Sequence, residues 1–175
     1  MEASAYLDVG KGMIALGDVN KDGHEDLVLA GRPGYTTDEA TKLYLNNGRG
    51  AFGEVSGAPF RGTMGGTAIL ADVDKDSDLD LFTVGTQGPM LYLNDGSGTF
   101  AEGTQLFGLG VGGRAVMADV DKDGAPEILF SGIYNGIDAL VYCKNDGAGN
   151  FTREALSVTK LNGLFYDFAD VDNDG

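Results

Sequence analysis

Asp18-Val19-Asn20-Lys21-Asp22-Gly23-His24-Glu25-Asp26 is the stretch on which the reading of this chain turns. Oxygen-bearing side chains stand at its first, third and fifth positions, a glycine follows at the sixth, and a carboxylate closes it at the ninth. Such a loop wraps a hard cation: calcium takes six to eight oxygen ligands at about 2.3–2.6 Å, and one loop of this kind supplies most of them. The phrase returns as Asp72-Val73-Asp74-Lys75-Asp76-Ser77, closed by Asp80, and as Asp119-Val120-Asp121-Lys122-Asp123-Gly124, closed by Glu127. A fourth copy, Asp170-Val171-Asp172-Asn173-Asp174-Gly175, has no closing acid in this sequence. The leading aspartates at 18, 72, 119 and 170 are 54, 47 and 51 residues apart. A period near 50 residues is the signature of blades, solenoids or arrays.

Composition agrees with a packed protein. The chain has 175 residues, and its 42% hydrophobic content places it outside the disordered class despite a net charge of −15. The charge is concentrated, since the four loops hold sixteen of the 27 acidic residues. Aspartate at that density makes sense around cations. A chain this acidic is a poor nucleic-acid partner, because phosphates are bound through Lys and Arg. No apolar run is long enough for a membrane span, and residues Met1 to Leu7 lack the regions of a signal peptide. The single Cys143 excludes an internal disulfide and, lying between strand-forming residues, reads as core.

Each unit follows one grammar. A short apolar run (Met13–Leu16, Thr67–Leu70, Ala115–Ala118) leads into the acidic loop, and a second run leaves it (Leu27–Leu29, Leu79–Val84, Ile128–Phe130). A third run follows, Leu43-Tyr44-Leu45, Leu91-Tyr92-Leu93 and Val141-Tyr142-Cys143. It enters a turn at Asn46-Asn47-Gly48, Asn94-Asp95-Gly96 and Asn145-Asp146-Gly147. Asn-Gly and Asp-Gly are strong hairpin signals because they accept positive φ. A fourth run opens at Phe52, Phe100 and Phe151. Short runs rich in Val, Ile, Phe and Tyr, bounded by turn residues, predict strands. Four antiparallel strands per repeat predict an all-β chain of propeller blades. An EF-hand needs a glutamate at position twelve and helices on both sides; position twelve here holds Leu29, Thr83 and Phe130.

Laid out this way, the chain resembles the FG-GAP repeat family, also called VCBS-like repeats, the calcium-binding propeller repeat of integrin α-subunits and many bacterial surface proteins. The motifs that carry the resemblance are the acidic loop with its closing acid and the downstream Asn-(Asn/Asp)-Gly-x-Gly-x-Phe. The resemblance implies Ca²⁺ at three complete sites and a fourth truncated one. Side-chain ligands would be Asp18, Asn20, Asp22 and Asp26; Asp72, Asp74, Asp76 and Asp80; Asp119, Asp121, Asp123 and Glu127; and, in the truncated copy, Asp170, Asp172 and Asp174. It also implies backbone carbonyl ligands at position seven, namely His24, Asp78 and Ala125. One departure stands out: Ser77 replaces glycine where the turn calls for φ > 0, which predicts a weaker second site, although Asp78 adds charge there.

The repeats span roughly 10–57, 64–105 and 112–156, with a partial unit at 162–175. Residues 1–9 read as the outer strand of a preceding unit. Three complete units fall short of the four to eight blades of a ring. The chain therefore reads as a segment of a longer protein, whose remaining blades or another copy would complete it.

Antiparallel order sends the acidic loops and the Asn-Gly turns to one end of every unit. The segments that differ between units go to the other end. Binding residues concentrate on variable loops held by a rigid scaffold, so Arg32, Tyr35, Arg61, Arg114, Tyr134 and Asn135 are the candidate ligand face. Phe60 and Phe107 are the competing case, read as packing between blades. The expected function is a non-catalytic recognition or adhesion module outside the cell or at its surface, stabilised by calcium, with a protein or carbohydrate ligand. The alternative is part of a propeller-based polysaccharide lyase or an accessory module of a larger secreted enzyme.

Overall fold

The computed structural model describes residues 9–33, 37–105, 113–134 and 137–154. These residues form three four-stranded antiparallel sheets in chain order. The first holds β1 (Val9–Gly17), β2 (Asp26–Pro33), β3 (Ala40–Asn46) and β4 (Phe52–Glu54). The second holds β5 (Thr67–Ala71), β6 (Asp80–Val84), β7 (Met90–Asn94) and β8 (Phe100–Gln105). The third holds β9 (Ala115–Ala118), β10 (Glu127–Tyr134), β11 (Ile137–Asn145) and β12 (Phe151–Glu154). No helix occurs among the described residues, so strands flank all three described acidic loops. The leading strands set the order of the sheets, with β5 between β1 and β9. The three sheets do not close a ring.

Alternation along each strand divides the side chains between two interfaces. In the second sheet Leu81, Met90, Tyr92 and Phe100 pack with Met13, Val28 and Leu43 of the first sheet. Their neighbours Phe82, Val84 and Leu91 pack with Ile128, Phe130, Val141 and Cys143 of the third. Every residue of β6 is therefore buried, Asp80 and Thr83 included. Each fully buried side chain of this size contributes about 1.5–3 kcal/mol of transfer free energy.

The pairing register corrects one alignment of the repeats. Tyr44 lies opposite Leu27, and Tyr92 opposite Leu81, but in the third sheet Cys143, not Tyr142, lies opposite Ile128. A one-residue slip exchanges the two faces of a strand. Cys143 thus takes the buried place of Tyr92, and Tyr142 turns to the other face, half-buried. Burial pushes the Cys143 thiol up to about 12, consistent with a core role.

Side-chain hydrogen bonds join the sheets at the loop end. Asn94 Nδ2 donates to Val19 O (2.8 Å) in the first sheet and to Leu79 O (3.2 Å) in its own. Asn145 Nδ2 repeats this one sheet later, to Val73 O (2.8 Å) and Pro126 O (3.2 Å). Asn46 has the corresponding place in the first sheet and donates to Glu25 O at 3.0 Å. The valine whose carbonyl accepts each cross-sheet bond is also packed there: Val19 and Val73 are 1% exposed, whereas Val120 of the third loop is 48% exposed.

Equivalent valines thus differ only in what covers them. Val73→Ala is expected to cost roughly 2 kcal/mol of unfolding free energy, and Val120→Ala less than about 0.5 kcal/mol. Urea denaturation midpoints measure both, and equal losses would contradict the packing described.

Candidate cation-binding loops

The three described acidic loops join β1 to β2, β5 to β6 and β9 to β10, and they wind by one hydrogen-bond scheme. The leading aspartate accepts from the backbone N–H of position six: Gly23 to Asp18 at 2.8 Å, Ser77 to Asp72 at 3.0 Å and Gly124 to Asp119 at 2.9 Å. The fifth-position aspartate accepts from the N–H of position seven, at 2.9 Å from His24, 2.8 Å from Asp78 and 2.8 Å from Ala125. This winding requires left-handed backbone at two positions. Position six has φ of 86°, 71° and 89° at Gly23, Ser77 and Gly124. Position four has 57°, 65° and 59° at Lys21, Lys75 and Lys122. A non-glycine residue there costs roughly 1–2 kcal/mol, so the second loop, with both Lys75 and Ser77, carries the most strain.

The closing acids are buried, with Asp26 and Glu127 at 0% exposure and Asp80 at 1%. Asp26 accepts from Val19 N (3.1 Å) and Asn46 N (2.8 Å), and Asp80 likewise from Val73 N (3.1 Å) and Asn94 N (2.8 Å). Glu127 Oε2 accepts from Val120 N at 2.8 Å. Each closing carboxylate thus fastens its loop, and in the first two sheets it also fastens the start of the following hairpin. Burial, outweighing these two bonds, pushes the Asp80 carboxyl up to about 6.

Two of the loops bring three carboxylates together. Ligand oxygens of Asp72, Asp74 and Asp80 lie within 4.8 Å of one another, and so do those of Asp119, Asp121 and Glu127. Glu127 Oε1 and Asp72 Oδ1 are buried without a hydrogen-bond partner. A buried carboxylate oxygen with no donor is costly unless a cation meets it. An all-oxygen donor set with such orphaned atoms fits a divalent calcium-like ion in the second and third loops. Burial first, then Asp76 and Asp72 nearby, raise the Asp74 carboxyl. The first loop differs. Asn20 stands where the others have an acid, and its Nδ2 donates to Asp22 Oδ2 at 3.1 Å. Asp18, Asp22 and Asp26 form no such three-carboxylate group. At position seven, His24 is exposed, Asp78 is nearly buried and Ala125 is fully buried. Lys144 Nζ pairs with Asp121 Oδ2 at 2.6 Å and holds that carboxyl below its ordinary value. Asp170, Asp172 and Asp174 lie outside the described residues.

The opposite end is less unified. Arg32, at the end of β2, is half-buried, and its Nε is a buried donor without a partner. Exposed Arg61 pairs with Glu102, while its backbone N–H donates to Tyr92 Oη at 2.9 Å. Arg114 is exposed, with its backbone bonded to Ser131 (2.9 and 3.1 Å). Tyr134 ends β10; Tyr35, Asn135 and Phe107 lie outside the described residues. Phe60 packs edge-on against Tyr92 and Phe100, with ring centroids 5.0 and 5.1 Å apart, which is the packing role. Sequence reasoning missed a polar seam at this end. Thr86 Oγ1 donates to Glu39 across the two sheets and accepts from Met64 N at 3.2 Å. Gly62 lies against this seam, where a Cβ would meet Glu39 O at 1.9 Å, a close approach that the sequence alone does not reveal.

The FG-GAP-like repeat matches residues 18–83 and, overlapping them, residues 72–130. Among solved structures the chain is similar to a lectin of Agrocybe aegerita, described for its specific recognition of non-reducing terminal N-acetylglucosamine. The TM-score is 0.54 at 23% sequence identity, over 81% of this chain and 37% of that one. The chain thus corresponds to little more than a third of the lectin's length, and the likeness is one of fold. No curated protein matches.

The raised Asp80 carboxyl sets a pH dependence for the metal-free chain. Folding lifts this group from about 3.8 to about 6, so between those values the folded state holds the extra proton. Stability is then expected to rise as pH falls from 7 through 6 toward 4, and to drop again as pH rises. Asp95, Asp121 and Asp146, held below their ordinary values, act with the opposite sign only below about pH 4. Thermal melts in EDTA across this range test it; a melting temperature that falls between pH 6 and 4.5 contradicts the assignment.

Proposed function

The chain belongs to the FG-GAP-like repeat family, and from that premise we propose that it is a non-catalytic recognition module. Calcium in the acidic loops stiffens its propeller-like sheets, and a carbohydrate or protein ligand is taken at the opposite end. The observation that carries the calcium reading is Glu127 Oε1, a buried, undonated carboxylate oxygen grouped with Asp119 and Asp121. Calcium supplies the positive charge that offsets crowded carboxylates. The chain's own residues do the rest: backbone N–H groups aim the leading aspartates inward, and the closing acids fasten each loop to the next strands. Loops of this kind with modest affinity fill at the millimolar calcium found outside cells, which supports an extracellular or surface setting. The fold likeness to a lectin supports carbohydrate as the first ligand class to test. Arg32, Arg61, Arg114 and Tyr134 are the contact candidates that the described residues offer on that end.

At 100 times its dissociation constant a ligand adds about 2.7 kcal/mol per site. For a chain of this size two filled sites are expected to raise the melting temperature by roughly 10 °C or more. Calorimetric melts in millimolar calcium against EDTA measure this, and Glu127→Gln is expected to remove about half the gain. An unchanged wild-type melt removes the calcium reading. A glycan array probed with the calcium-loaded chain is expected to retain it without altering the glycans; a folded, loaded chain that no glycan retains removes the carbohydrate reading.

A further inference from the structure

The fourth position of the acidic loops holds a lysine in all three described copies, and in each the backbone is left-handed. Gly would occupy that conformation without strain, so a long charged side chain there calls for a use. At both junctions between described sheets the lysine reaches forward into the next sheet's acidic loop. Lys21 Nζ pairs with Asp78, at position seven of the second loop. Lys75 Nζ donates to Asp123 O at 2.6 Å and lies 3.4 Å from Asp123 Oδ1, at position five of the third loop. Room for this is built in: a Cβ at Gly147, in the hairpin turn of the third sheet, would lie 2.8 Å from both Lys75 Nζ and Cε. The Lys21 ammonium is held protonated above its ordinary value, first by its bond to Asp78.

We propose that these lysines tune calcium binding in the following loop: Lys21 acts on the second site and Lys75 on the third. The inference rests on the calcium reading given above. Without metal, the ammonium sits against crowded carboxylates and reduces their mutual repulsion. With a divalent ion present, the same fixed charge opposes it. The lysine therefore stabilises the empty loop and weakens its affinity, so the sheet before each site sets the calcium concentration at which that site fills. Lys144 on Asp121 adds a second positive charge to the third loop, which lowers the affinity of that site further.

Calorimetric calcium titration and calcium-free melting of the whole 175-residue chain test this with Lys75→Met, which keeps the stem and removes the charge. One site is expected to bind about tenfold tighter at low salt, and the calcium-free melting temperature to fall. Lys75→Arg should behave as wild type, and Lys42→Met, which breaks a pair with Glu54 away from the loops, should leave affinity unchanged. In a Glu127→Gln background the effect of Lys75→Met on affinity should vanish while that of Lys21→Met persists. Unchanged calcium affinity in Lys75→Met, or an equal loss of stability with and without calcium, overturns the proposal. Absence of any calcium heat in the wild type is a different failure, since it removes the calcium reading itself before any lysine is changed.

Discussion

Carboxylates gathered at one end of every sheet are the constraint around which the rest is arranged. Two groups of three oxygens within 4.8 Å of one another repel, when charged, by roughly 3–4 kcal/mol per neighbouring pair at an effective dielectric near 20. The backbone accepts that repulsion to keep the oxygens pointing inward. Left-handed lysines and a left-handed serine add further conformational cost. Strain and like charge concentrated in a repeated loop are the pattern expected where structure is shaped for a ligand. The bonds that hold the loops wound are backbone N–H to carboxylate, which are stronger than neutral ones.

The loops also tie the sheets together. A closing acid joins the loop to the start of its own hairpin, and the asparagine at that start reaches back to the preceding sheet. Val19 and Val73 are buried at the same places where their carbonyls accept these bonds. An ion held in one loop therefore bears on an interface between sheets as well as on a turn. In the second sheet the closing acid Asp80, the hairpin residue Asn94 and the carbonyl of Val19 in the preceding loop are neighbours in a single bonded chain.

Strand order and loop position were legible because the repeat wrote them three times, with short apolar runs and Asn-Gly or Asp-Gly turns as punctuation. The failures are local and have physical reasons. Val141-Tyr142-Cys143 looked like Leu91-Tyr92-Leu93 because tyrosine matched tyrosine. Counting back from Asn145 would have put Cys143 opposite Ile128, since the distance to the turn, not residue likeness, fixes register. The lysine at position four carried no reading in the sequence, since nothing in one loop alone shows that its partner lies 48 or more residues ahead. Asn20 read as a ligand equivalent to aspartate, yet its amide also donates, and it turns that donor on Asp22. Arg32 and Arg61 were placed at the variable end by topology, but their partners, or the lack of one, depend on tertiary packing that no spacing encodes.

The two ends of the sheets therefore obey different rules. At the loop end the three described units share the bonds from position six to the leading aspartate and from position seven to the fifth, and residue changes fall at single positions: Asn20, Ser77, Glu127 and the triplet His24, Asp78 and Ala125. At the other end the bonds are particular to one junction, as with Thr86 on Glu39 and Thr41 Oγ1 on Arg61 O at 2.8 Å. A scaffold that fixes one end by repetition leaves the other free to vary its side chains without losing strand register. Arg32 gives that freedom a definite form: its Nε is desolvated without an acceptor, a cost that a hydrogen-bonding ligand at this end would relieve.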